Sequence, residues 1–192
     1  MSEDTKQRIL EVGADLVHRQ GFNNTGLKDI LKAAGVPKGS FYFYFDSKET
    51  FGIELAHYLR KRSREAMLPI INDETKTPLE RLHAMFSRFQ AYFASHGYTR
   101  GCPIGNLAQE VSDLSPAMRE AVRQVLHKMG GNLARILAEA AQAGELPPDL
   151  DPERTAAFIL DAWEGALLRM KAEKTVEPLH RFEEFVFTRV LR

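Results

Sequence analysis

VPKGSFYFYF, residues 36–45, decides how the chain is read. Phe41 to Phe45 is an unbroken aromatic run, a composition that also suits a strand. The flanking residues favour a helix. Leu27, Ile30, Leu31 and Ala34 repeat at helical spacing, and Gly35 follows them as a turn residue able to take positive φ. Pro37 then suits the start of another short helix, which the spacing carries to Tyr44. Phe41 and Phe45 lie four apart, so they share a face and pack inward. Two helices joined by the turn Ala34-Gly35-Val36 make a helix-turn-helix.

In such a motif the second helix enters the major groove of double-stranded DNA. Pro37 and Gly39 leave little side chain on its first turn, so Lys38 and Ser40 stand forward toward base edges and phosphates. Tyr42 and Tyr44 carry hydroxyls suited to donate to phosphate oxygens at the groove rim. Lys48 opens the next helix, whose first amide groups also favour an anion. Thr25 reads as the N-cap of the second helix, with a phosphate contact in addition. The candidate DNA-contacting set is therefore Thr25, Lys38, Gly39, Ser40, Tyr42, Tyr44 and Lys48.

Outward from this stretch, almost everything reads as helix. Ile9, Gly13, Leu16 and Val17 form a stripe that stops near Gly21. Thr77-Pro78-Leu79-Glu80 has the form of a capping box, and Ser47, Ser115-Pro116 and Asp151-Pro152 repeat the capping logic. Apolar stripes run through Leu79, Leu82, Phe86, Phe89 and Phe93; through Met118, Val122, Val125, Met129 and Leu133; through Trp163, Leu167 and Met170; and through Leu179, Phe182, Val186 and Val190. The expected fold is all-α, with about nine helices. A helix-turn-helix unit is expected over 1–46, and a helical effector-binding and dimerisation bundle over 47–192.

Lys plus Arg (26) equals Asp plus Glu (26), so only a local basic face can speak for nucleic acid. The single cysteine excludes an internal disulfide and fits a reducing cytoplasm. No apolar run approaches the roughly 18–20 residues of a membrane span, and the polar start, MSEDTKQRIL, lacks a signal-peptide core. The six histidines are scattered without metal-ligand spacing, so neither metal nor cofactor is expected. No P-loop, dinucleotide fingerprint or nucleophile elbow is present. The rival to a regulator is a thiol-dependent enzyme using Cys102, but the chain has no resolving cysteine.

ILEVGADLVHRQGFNNTGLKDI followed by LKAAGVPKGSFYFYFDSKETF resembles the TetR family of bacterial transcriptional repressors. Gly21-Phe22, Thr25, Asp29-Ile30, Ala34-Gly35-Val36, Lys38-Gly39-Ser40, Tyr42, Phe45 and Lys48-Glu49 fit the family pattern. Leu31 departs from it, and Gly26 and Phe43 fall where it varies. GELPPDLDPERTAAFILDAWEGALL resembles the family's loop before its penultimate helix. The resemblance implies a homodimer that binds an operator through its first three helices. A small-molecule effector would bind, and the two chains associate, through the helices that follow.

Phe86, Phe89, Phe93 and Trp163 are the candidate lining of an effector pocket. Cys102 is a candidate sensor at the expected start of a helix, where the dipole favours a thiolate. GCPIGNLAQEVSDLSPAMR resembles the corresponding segment of TetR relatives that carry a cysteine here, among them repressors that sense electrophiles. The competing reading makes Cys102 a small structural residue.

Overall fold

The computed structural model describes residues 3–192, apart from the side chains of Glu3 and Lys38. The described residues form nine α-helices and no strand. They are α1 (Glu3–Gln20), α2 (Leu27–Ala34), α3 (Phe41–Tyr44), α4 (Lys48–Ile71), α5 (Pro78–Ser95), α6 (Pro103–Val111), α7 (Pro116–Gln142), α8 (Pro152–Glu173) and α9 (Glu177–Phe185). A 3-10 turn over Lys38–Ser40 leads into α3. A π turn over Val186–Val190 ends α9, where the stripe alone suggested continuous α-helix. This wider turn leaves both Val186 and Leu191 buried. None of these helices is long and apolar enough to cross a membrane.

The chain divides into two compact units. One comprises everything to Ser63 together with Pro103–Val125; the other comprises Arg64–Cys102 and Leu126–Arg192. The chain passes between them within α4, after Cys102, and within α7.

Aromatic packing organises the first unit. Phe41, Phe45 and Phe51 are fully buried, with ring centroids 5.2 Å apart for Phe41–Phe45 and 5.3 Å for Phe45–Phe51. Gly13 admits the Phe51 ring to α1, because a Cβ there would stand 2.5 Å from Phe51 Cζ. The turn after α2 is a Schellman motif. Gly35 takes φ 63°, and the amides of Gly35 and Val36 donate to Lys32 O and Leu31 O at 3.2 and 3.0 Å.

Thr25 departs from its expected place. The N-cap of α2 is Gly26, with φ −77° and ψ 144° and no side-chain cap. Thr25 is 0% exposed, and its hydroxyl donates to Gly21 O. It satisfies a carbonyl at the end of α1 that has no partner further along that helix. Tertiary burial has won over local capping.

In the second unit the caps are as expected. Thr77 and Glu80 form a reciprocal capping box, and the Asp151 carboxylate accepts from the amides of Glu153 and Arg154 at 2.9 and 3.1 Å. Leu82, Phe86, Phe93, Leu133, Ile136, Ile159, Trp163, Leu167 and Phe182 are core. Arg81 ties this unit together: Nη1 donates to Ile71 O and Nη2 to Glu139 Oε2, both at 2.8 Å.

Candidate nucleic-acid interface and effector core

The run Phe41–Phe45 splits by face. Burying Phe41 and Phe45 turns Tyr42 and Phe43 outward, 61% and 64% exposed. Tyr44 is half-buried. Gly39 is exposed, and a Cβ built on it meets nothing within 4 Å. The free protein therefore has no packing need for glycine there. Ser40 is half-buried at the end of the 3-10 turn. The side chain of Lys38 lies outside the described residues.

Lys48 begins α4 behind the cap formed by Ser47, whose hydroxyl accepts from Thr50 N at 3.0 Å. Its ammonium sits 4.8 Å from the centroid of the Phe22 ring and donates to Asn23 O at 3.4 Å. Burial lowers the pKa of Lys48, and the Glu110 carboxylate pulls it in the opposite direction. Thr25 belongs beneath this surface: with its hydroxyl enclosed and donated to Gly21 O, it offers nothing to a phosphate.

Glu110 was not singled out from the sequence, yet it fixes the same turn. Its carboxylate accepts from Phe22 N at 3.1 Å and Asn23 N at 2.9 Å, and its own carbonyl accepts from Asn23 Nδ2 at 3.3 Å. Gly21 leaves the room: its φ is 89°, and a Cβ there would lie 2.9 Å from Glu110 Oε1. The end of α6 thus grips the α1–α2 turn, to which Lys48 is also held.

In the second unit Phe86, Phe89, Phe93 and Trp163 come together. Phe86, Phe89 and Phe93 have ring centroids 4.9, 6.0 and 6.4 Å from that of Trp163. Phe86, Phe93 and Trp163 are buried core and Phe89 packs partly buried against them. Cys102 directly precedes α6 and packs half-buried against the same core. Its thiol hydrogen-bonds the Glu164 carboxylate. A carboxyl group, and not the helix start alone, therefore stands beside the thiol.

Glu164 is a second residue the sequence reading passed over, although an acid beside Trp163 in a buried helix was visible there. Its Oε1 is buried without a hydrogen-bond partner. Desolvation raises the carboxyl's pKa, and the Cys102 bond partly opposes this. A groove of 240 Å³ lies elsewhere, along α8 and α9, lined by residues including Phe158, Ala162, Gly165, Phe182 and Phe185. None of the five candidate effector residues lines it. Among the described residues no cluster of His, Cys, Asp or Glu is arranged to hold a metal ion.

Known proteins match both parts of the chain. Residues 9–54 match the description "Bacterial regulatory proteins, tetR family", and residues 78–186 match "Tetracyclin repressor-like, C-terminal domain". The transcriptional regulator AcuR of Cereibacter sphaeroides is 38% identical over 180 residues, covering 92% of this chain and 80% of the relative. The repressor DhaR of Mycobacterium sp. is 33% identical, covering 97% and 92%. A crystal structure of Escherichia coli NemR in its reduced form superposes with a TM-score of 0.86 at 31% identity, covering 96% of both chains. With both parts matched and identity sustained along most of its length, the chain belongs to the TetR family of helix-turn-helix transcriptional regulators.

Proposed function

We propose that this regulator is a homodimeric repressor that leaves a palindromic operator when an electrophilic small molecule reaches Cys102. Residues 1–46 supply the DNA-binding head, and 47–192 serve effector binding and dimerisation. The observation that carries the reading is the division of the run Phe41–Phe45. Its core face is spent on Phe41 and Phe45, while Tyr42 and the bare Gly39 stand toward solvent. A surface of this kind lets a duplex approach closely. Tyr42 and Lys48 dock on phosphates, with Tyr44 and Ser40 beside them, and Lys38 reaches base edges. Thr25 is left out of the contact set.

The dimer forms through α8 and α9. Phe158, Leu168 and Phe185 are exposed there, beside Ala162, Gly165 and Ala166, which permit close approach. Two-fold pairing makes an inverted-repeat operator the geometric expectation.

The effector side rests on Cys102, its bond to Glu164, and the aromatic core of Phe86, Phe89, Phe93 and Trp163 against which it packs. An unsaturated aldehyde or quinone adds to the sulfur by conjugate addition. The S–C bond forms, the C=C π bond breaks, and the thiol proton passes to the product, with Glu164 placed to relay it. The similar NemR of Escherichia coli was crystallised in a reduced form, which supports a redox-sensitive effector side.

A gel shift on DNA flanking the gene tests the proposal. The wild type is expected to shift the duplex and to release it after quinone treatment, while Cys102→Ser shifts it and does not release. If Cys102→Ser releases as readily, the thiol is structural and the effector binds non-covalently.

A further inference from the structure

Phe43 is the side chain of the helix-turn-helix surface that phosphate docking leaves unused. It is 64% exposed, more than Tyr42 at 61%, and it offers neither donor nor acceptor to a phosphate. Single exposed apolar residues are common on proteins, but this one stands on the helix read as entering the groove. Its ring is braced edge-on by Tyr44, with centroids 5.0 Å apart and planes at 85°. Gly39, in the 3-10 turn that leads into this helix, adds no bulk, and a Cβ on it would meet nothing within 4 Å. In the major groove, the apolar group that base edges present is the C5-methyl of thymine.

We propose that Phe43 is a specificity-determining residue that packs on a thymine methyl group in each operator half-site, with Gly39 leaving the room for that base edge. This rests on the DNA-binding reading above and adds the chemistry of one recognised base. A contact to deoxyribose would bury the same ring without any preference among bases, and the test separates the two.

Duplexes are first selected from a random pool by the full-length protein. Each thymine of the selected duplex is then replaced singly by deoxyuridine, which removes the methyl and leaves every hydrogen-bonding group. Wild-type affinity is expected to fall about four-fold for one position in one half-site and about sixteen-fold for both, from the transfer value of one methyl-sized group. Phe43→Ala should bind the thymine duplex weakly and be indifferent to the same replacement. Phe43→Leu should retain part of the preference. Circular dichroism should show both variants folded, since the side chain is exposed. Equal sensitivity of wild type and Phe43→Ala to every replacement, or a wild type that ignores all of them, would overturn the assignment while leaving DNA binding intact. A pool from which no duplex is enriched would overturn the DNA-binding reading itself, and this proposal with it.

Discussion

Replacing Glu110 by alanine removes the acceptor of two backbone amides at once. Phe22 N and Asn23 N lose partners at 3.1 and 2.9 Å, while the bond from Asn23 Nδ2 to the Glu110 carbonyl can persist. A hydrogen bond to a charged group contributes about 1.5–3 kcal/mol, and a buried amide left without a partner costs a similar amount. Asn23 is exposed, so water replaces much of its share; Phe22 is buried, so its amide bears most of the loss. The expected cost is therefore about 1.5–3 kcal/mol, less than two full charged bonds. With a urea m-value of about 2 kcal/mol/M, the midpoint should fall by about 1 M. Glu110→Gln keeps an acceptor oxygen and should lose roughly half as much. Urea denaturation followed by circular dichroism measures the midpoint, and hydrogen exchange at Phe22 and Asn23 localises the effect. An unchanged midpoint together with unchanged protection of those two amides would refute the view that α6 grips this turn.

Three further outcomes are expected. Lys48→Ala should lower the slope of log affinity against log salt by about one per half-site, and both it and Tyr42→Phe should weaken operator variants evenly; a loss confined to particular base sequences, seen by fluorescence anisotropy, would count against phosphate docking. Glu164 has a folded-state pKa raised by burial, so its contribution is fully present below the unfolded value and is lost as pH rises through the folded one. Wild type should therefore lose stability relative to Glu164→Gln as pH rises from about 4 toward neutrality, and parallel urea midpoints across that range would contradict it. Phe158→Glu with Phe185→Glu should shift the sedimentation mass toward monomer; an unaltered dimer would remove α8 and α9 from the interface.

Local chemistry was the readable part of the sequence. Thr77 to Glu80 and Asp151-Pro152 announced their helices because a cap and the amides that donate to it lie within four residues. Phe41 and Phe45 announced the buried face because helical period alone links them. Thr25 was misread because both it and Gly26 precede α2, and only tertiary packing decides which one turns inward. Glu110 was invisible for a stronger reason: its partner Phe22 is 88 positions away. The stripe from Phe86 to Phe93 said which face is buried, and the rings do gather around Trp163. A stripe cannot say whether space remains among them, nor could it show the groove lined by residues of α8 and α9.

The most direct test of the central claim is DNase I footprinting on the intergenic DNA beside the gene, at physiological salt, with wild type and Tyr42→Phe/Lys48→Ala compared. The account predicts protection of one inverted repeat by the wild type, with half-sites a helical turn or a multiple of it apart, and loss of that footprint in the double variant. Protection no stronger than on random duplex, or a footprint that survives both substitutions, would contradict it.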